Sequence, residues 1–140
     1  ESPRGSTDFL ADGLRGSTHH ALTRGAGLRA VVIVDFVADR DLSLPREGSS
    51  HPGLWSRLRA AARAVGAQSV FPDAVGRTIL DDHTPFLRRG IPAIDLIDWD
   101  YPHFHRRSDT LDKVSARSLD LVGEGLVVML DRLRGETCRR

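Results

Sequence analysis

The feature that most constrains the fold is an apolar run at residues 28–37, LRAVVIVDFV, in which Asp35 is the only acid. A nearly unbroken apolar run of this length is typical of a strand buried on both faces of a parallel sheet. A carboxylate in such surroundings is unfavourable unless it is paired, hydrogen-bonded or bound to a metal. The run therefore predicts a buried strand whose acid has either a functional role or a local turn bond just past the buried part.

A second strand is predicted at residues 93–97, AIDLI, which also carries a single acid, Asp95. Upstream, Thr84 and Pro85 have the pattern of a helix start and Gly90 that of a helix end, so the helix between them is short. The sequence thus predicts a short helix that leads directly into a buried strand.

Polar and aromatic residues gather at the two ends of this helix-strand unit. They are Asp81, Asp82 and His83 before the helix and His103, Phe104 and His105 after the strand. Such a unit brings both groups to one edge of a sheet, where the active sites of sheet proteins lie. The two acids have a second interpretation, because a carboxylate also stabilises the positive end of a following helix.

Two amphipathic helices are predicted around the strands. Apolar residues recur at helical spacing at residues 54–65, with Gly66 as the stop, and again at residues 119–133 after a capping Ser115. The order helix, strand, helix, short helix, strand, helix favours an α/β layered domain with a largely parallel sheet.

Taken in order, these motifs resemble a known enzyme family. The segment DDHTPFLRRGIPAIDLID, an aromatic-histidine pair and then SDTLDKVS resemble the C-terminal half of the catalytic domain in the zinc aminopeptidase and glutaminyl-cyclase family, and the resemblance extends over residues 8–133. It implies a three-layer α/β/α fold with a largely parallel mixed sheet, zinc exopeptidase-like, whose N-terminal part is missing. Residues 1–135 would be the C-terminal part of one catalytic domain, and residues 136–140 a polar tail.

The resemblance implies roles for three residues at the predicted sheet edge. His105 matches the zinc-ligand histidine that follows an aromatic residue. Asp35 matches an acid that is a zinc ligand in two-metal aminopeptidases and that lies behind the ligands in cyclases. Asp81 resembles the cyclase acid that hydrogen-bonds at the reacting centre, so Asp35 and Asp81 are the predicted catalytic acids.

The resemblance also suggests roles for three further residues. Phe104 stands at the aromatic position before the zinc histidine and would form a wall of the substrate pocket. Asp95 falls where cyclases place a histidine near that pocket, so we assign it to the same pocket and leave its role open. Glu1 would be a zinc ligand if residues 8–21 match the helix that follows the family's glutamate pair, and an arbitrary chain end is an equally good interpretation.

The implied function is that of a zinc-dependent enzyme, with one or two zinc ions, acting on peptide or protein N-termini. The segment DDHTPFLRRGIP lies closer to cyclases, which favours glutaminyl-peptide cyclotransferase activity, the conversion of N-terminal glutamine to pyroglutamate with release of ammonia. The alternatives are a zinc aminopeptidase that hydrolyses N-terminal residues and a non-catalytic interaction module on the same fold. Because further ligands are expected before Glu1, the chain alone is expected to be inactive.

Composition argues against other classes of function. The formal net charge is +1, and nineteen of the twenty basic residues are arginines interleaved with acids, which indicates a high-GC bacterial source rather than nucleic-acid binding. No apolar run approaches the roughly 18 residues that a membrane span needs. The single cysteine, Cys138, excludes an internal disulfide, and none of these features indicates a compartment.

Overall fold

Two parallel strands lie at the centre of the computed structural model, which describes residues 8–137. Strand β1 is Val31–Asp35 and strand β2 is Ala93–Ile97. They pair in register, with Val31 opposite Ala93 and Asp35 opposite Ile97. Parallel neighbours cannot be joined by a tight turn, and the long crossover between these strands contains two helices.

Five α-helices surround the strands in this part of the chain. They are α1 (Phe9–Asp12), α2 (Arg15–Arg24), α3 (Pro52–Ala64), α4 (Thr84–Leu87) and α5 (Ala116–Thr137), with 3₁₀ turns at Gly25–Gly27 and Leu111–Lys113. Helix α3 starts where His51 Nδ1 accepts from the Leu54 amide at 3.1 Å. Helix α5 starts at the predicted cap, because the Ser118 amide donates to Ser115 Oγ at 3.2 Å. Capping satisfies amides that the helix leaves without a partner.

Glycines with a left-handed backbone end the two helices of the crossover. Gly66 follows α3 with a φ of 76°, and Gly90 follows α4 with a φ of 72°. Only glycine adopts this conformation without strain, so the predicted stops at both positions are confirmed.

Helices cover both faces of the sheet. Ile94 and Leu96 of β2 belong to one buried core with residues of α3 and α5, including Leu58 and Met129. Ala93, which points to the opposite face, belongs to a second core with residues of α2 and α4; these are Ala21, Phe86 and Ile91, the last just after α4. The predicted three-layer α/β/α architecture with a parallel sheet is confirmed for the described residues.

Strand β1 differs from its prediction in length and burial. It covers five residues of the ten-residue apolar run, and the side chain of Val34 is 48% exposed. The burial of β1 is lower because helix α3 packs on β2 instead. In addition, β1 has no second partner strand among residues 8–137. The expectation of burial on both faces therefore applies to β2 and was wrong for β1 in this structure.

Helix α5 continues into residues 136–140, which are predicted to be a polar tail. It extends to Thr137, and Glu136 accepts a hydrogen bond from Arg57 of α3. Glu136 therefore belongs to the helix rather than to a polar tail, and the last three residues lie outside the described part of the chain. Within residues 8–137, no helix is both long enough and apolar enough to cross a membrane.

Candidate functional site

An open cavity of about 630 Å³ lies where the two strands end. The end of β1, the segment before α4 and the loop after β2 each contribute to its wall. A larger groove of about 880 Å³ lies near the opposite ends of the strands, but Glu136 is the only acid that lines it. Ligand sites of parallel sheets lie at the carboxyl ends of the strands, so the first cavity is the candidate site.

Asp35 is the last residue of β1, and its side chain lines this cavity. Burial raises the pKa of its carboxyl group, and the negative charge of Asp81 raises it further, while a hydrogen bond from the Phe36 amide opposes both effects. Because a nearby negative charge disfavours ionisation, Asp35 keeps its proton to a higher pH than an ordinary aspartate does.

Asp81 reaches the cavity from the turn that precedes α4. Its side chain accepts from the Asp82 amide at 2.6 Å, and its carbonyl oxygen accepts from the Thr84 amide at 2.8 Å. Asp82 itself is exposed and does not line the cavity. The turn thus separates the two acids, and only Asp81 joins Asp35.

His105 enters the cavity from the loop that follows β2. Its backbone is in the left-handed region, with a φ of 53°, and Phe36, which also lines the cavity, has a φ of 47°. Non-glycine residues rarely adopt this conformation, and where they do they cluster at functional sites. His103, in the same loop, bonds Ser108 through Nδ1 at 2.9 Å and does not line the cavity.

Aromatic rings form one wall of the cavity. The ring of Phe104 lies 5.0 Å from that of Phe36, 5.4 Å from that of Trp99 and 4.1 Å from that of His105, measured between centroids. All four residues line the cavity. The predicted wall residue Phe104 is therefore at the centre of an aromatic cluster.

Asp95, which is predicted to belong to the substrate pocket, does not lie at the cavity. Its side chain is fully buried in the middle of β2, and its Oδ2 lies 3.3 Å from Nδ1 of His83. It is not among the residues that line the cavity. The reason is its place along the strand: Ile97, two residues later on the same face and at the end of β2, lines the cavity, whereas Asp95 lies in the middle of the strand against His83.

The donor atoms at the cavity are of the types that bind zinc, but there are fewer of them than a catalytic zinc ion takes. An imidazole and carboxylate oxygens, as on His105 and Asp35, are ordinary zinc ligands, and catalytic zinc takes about three protein ligands. Within residues 8–137, however, no group of three histidine, cysteine or acidic side chains could hold a metal ion. The other predicted ligand, Glu1, lies outside the described residues.

Two buried acids near the site were not singled out from the sequence. Glu47, 2% exposed, lies before α3, and Asp98, 8% exposed, follows β2. Burial and the charges of Asp39 and Asp100 raise the pKa of Asp98 to about 6. For Glu47 the only local signal is the Gly-Ser-Ser that follows it, because small residues leave their amides and hydroxyls free to bind a buried carboxylate.

A parallel sheet covered by helices on both faces, with acids and a histidine at the strand ends, is the arrangement of an α/β enzyme. Residues 8–130 match the sequence family described as Peptidase family M28. The match covers most of the chain, and the chain belongs to that family.

Solved structures agree with this assignment. The glutaminyl cyclase of an Acidobacteriales bacterium is 29% identical, with a TM-score of 0.82 over 94% of this chain and 49% of its own. The glutaminyl cyclase of Fimbriiglobus ruber is 36% identical, with a TM-score of 0.76 over 83% of this chain and 43% of its own. A leucine aminopeptidase precursor from Bacteroides thetaiotaomicron is 26% identical, with a TM-score of 0.81 over 91% and 46%. The chain thus spans about half the length of these relatives.

Proposed function

We propose that the protein is a zinc-dependent enzyme acting on peptide or protein N-termini, and that its reaction is the cyclisation of N-terminal glutamine. The observation that carries the proposal is the cavity that gathers Asp35, Asp81 and His105 from three segments beside an aromatic wall. The glutaminyl cyclases among the similar structures support this choice of reaction.

The two acids suit the proton transfers that cyclisation requires. A bond forms between the α-amine nitrogen and the γ-carbonyl carbon, the bond from that carbon to the amide nitrogen breaks, and the amine's proton leaves with the ammonia. Burial and the charge of Asp81 raise the pKa of Asp35. The pair of acids can therefore take the proton from the α-amine and hold it until it passes to the leaving ammonia. Positioned acid-base groups contribute about 10²–10⁴-fold to such steps.

His105 would hold zinc through a ring nitrogen, and Asp35 would be a further ligand if the site takes two ions. The remaining ligands, Glu1 among the candidates, would come from residues outside 8–137. Bound zinc would polarise the carbonyl of the substrate. Phe104, Trp99 and Phe36 would exclude water and pack against the aliphatic part of a glutamine side chain.

A second candidate is hydrolysis of the first peptide bond by an aminopeptidase. The leucine aminopeptidase precursor favours it, because that structure is as similar in fold as the cyclases. The same cavity would then hold an N-terminal residue of another kind, and the product would be a free amino acid rather than ammonia.

The test uses the full-length gene product that contains this chain, purified with its native metal. Zinc per chain is measured together with ammonia released from a peptide that begins with glutamine. His105→Ala should abolish the ammonia release and lower the zinc content. The matched control is His103→Asn, which changes a histidine of the same loop and keeps a group that can bond Ser108.

Each outcome separates the candidates. Zinc with ammonia release and no free amino acid supports the cyclase. Two zinc ions with free amino acids identify the aminopeptidase instead, and a metal-free protein without either product identifies an interaction module on the same fold. Equal ammonia release by His105→Ala and His103→Asn would contradict the role of His105.

A further inference from the structure

Three ionisable side chains are buried together behind the candidate site. Glu47 comes from the loop before α3, His83 from the turn before α4 and Asp95 from the middle of β2, and each side chain is at most 1% exposed. His83 Nε2 lies 3.0 Å from Glu47 Oε2, and His83 Nδ1 lies 3.3 Å from Asp95 Oδ2. We call these three residues the buried triad.

The triad places a histidine with a raised pKa between two buried acids. Burial alone would lower the pKa of His83, but its contacts with Asp95 and Glu47 outweigh burial and raise this pKa to about 9. Burial also opposes ionisation of Glu47, yet hydrogen bonds from His83 and from backbone amides lower its pKa to about 2. Burial raises the pKa of Asp95, and the contact with His83 opposes this effect. That contact joins two charged or chargeable groups without the alignment of a hydrogen bond.

Glu47 connects the triad to the wall of the cavity. Its Oε1 accepts from the Ile79 amide at 2.9 Å, and Ile79 lines the cavity two residues before Asp81. Its Oε2 accepts from the amide and the hydroxyl of Ser50 at 2.7 and 2.9 Å. The same hydroxyl accepts from the Asp95 amide of β2 at 2.9 Å. The turn that carries Asp81 is therefore held at Ile79 and at His83, on both sides.

The triad is not a nucleophilic site, although Ser49 Oγ lies 2.8 Å from His83 Nε2. A serine nucleophile needs a neutral imidazole that can accept its proton. Here Glu47 lies at the same Nε2, the imidazole is protonated, and the Ser49 hydroxyl faces both Glu47 oxygens at 3.0 Å. Ser49 also lies outside the lining of the candidate cavity.

A buried ion pair stabilises a fold no better than well-packed apolar side chains do, so stability alone does not explain the triad. It does fix geometry, because each of its charges requires its partners in one arrangement. We propose that Glu47, His83 and Asp95 are positioning residues that hold the Asp81 carboxyl group against Asp35 in the cavity. This inference rests on the proposed function, in which those two acids handle the proton.

The test compares Glu47→Gln and Asp95→Asn in the full-length gene product. Both variants keep the side-chain shape. In Glu47→Gln the NH₂ group meets backbone amide donors whichever oxygen it replaces, Ile79 and Ser49 at Oε1 or Ser50 at Oε2. We expect kcat on a glutamine-initiated peptide to fall about 10- to 100-fold through misplacement of Asp81, with KM changed less than about twofold. The amides of residues 79–84 should also exchange hydrogen faster.

The control is Leu58→Ala, which removes a fully buried side chain on the other face of the sheet. It lowers stability and should leave kcat per folded molecule and the exchange of residues 79–84 unchanged. If the triad variants behave like this control, the positioning role is wrong.

Hydrogen exchange separates this failure from failure of the proposed function. A wild-type protein that releases no ammonia would reject the cyclase, while faster exchange at residues 79–84 in both triad variants would still support the held turn. Unchanged exchange in both variants would overturn the inference whatever the reaction.

Discussion

The two strands of the sheet are equal in length and paired in register, yet their acids have opposite surroundings. Asp35 ends β1 beside another acid, at the wall of an open cavity. Asp95 lies in the middle of β2, fully buried and paired with a protonated His83. Burial raises the pKa of both carboxyl groups; the charge of Asp81 adds to this effect at Asp35, whereas the contact with His83 opposes it at Asp95. The comparison shows that two strand acids with similar local sequence have different charged neighbours.

The largest effect is expected at the end of β1. Asp35→Asn should lower ammonia release by about 10²–10⁴-fold, because an amide cannot hold the proton that cyclisation transfers. The unfolding free energy should stay the same or rise, since the change removes repulsion from Asp81. Steady-state kinetics and urea denaturation measure both, with the exposed Asp120→Asn of α5 as control. Retained activity would show that Asp35 is a framework acid like Asp95.

His83, which contacts the β2 acid Asp95, should have a large effect on the free energy of unfolding. His83→Leu should lower the unfolding free energy by about 3–5 kcal/mol, because it leaves two buried carboxylates without their cation. His19→Leu, at an exposed histidine of α2, should change it by less than about 0.5 kcal/mol. Denaturant unfolding of the full-length protein checks the difference. A His83→Leu protein as stable as the control would mean that the buried acids are protonated and need no cation.

The apolar residues of β2 should contribute more to stability than those of β1. Leu96→Ala in β2 should cost about 2–5 kcal/mol, as large-to-small changes in a packed core do. Val34→Ala in β1 should cost less than about 1 kcal/mol, because this side chain is half exposed and gains less from burial. Thermal or urea unfolding of both variants measures this. An equal cost at Val34 would show that β1 is covered in the full-length protein by residues outside 8–137.

A pH dependence of stability is also expected from the β2 side of the site. The folded pKa of His83 is raised to about 9 from an ordinary value of 6.5, so the folded protein binds this proton more tightly than the unfolded chain does. Its stabilising effect is therefore complete below pH 6.5 and is lost as the pH rises to about 9. Urea unfolding across this range should show the decline, and His83→Gln should flatten it. A constant wild-type stability would contradict the protonated triad.

Most of the local structure was predictable from the sequence. The apolar period of α3 and α5, the Ser115 cap and the glycines at residues 66 and 90 act over a few residues, so short-range physical rules describe them. Asp35, Asp81, Phe104 and His105 were predicted from motifs, and the structure brings these four residues to one cavity. Their roles in catalysis and zinc binding stay predictions until the full-length protein is assayed.

The errors came from effects that act across the fold. Asp95 was assigned to the substrate pocket because cyclases place a histidine at that position, yet in the structure it lies in the middle of β2 against His83 rather than at the strand end. Glu47 was not singled out from the sequence, since nothing within its own segment shows that it will contact His83 and the Ile79 amide. The exposure of Val34 likewise depends on which strand the helices cover.

The sequence by itself determined the elements, their order and the residues that end at the cavity, because periodicity, caps and turn residues act locally. Only the tertiary structure decided what each acid faces. Two aspartates in two similar strands differ in their charged neighbours, which lie 46 residues away in sequence for Asp35 and 12 residues away for Asp95, and electrostatic energy depends on distance in space rather than in sequence.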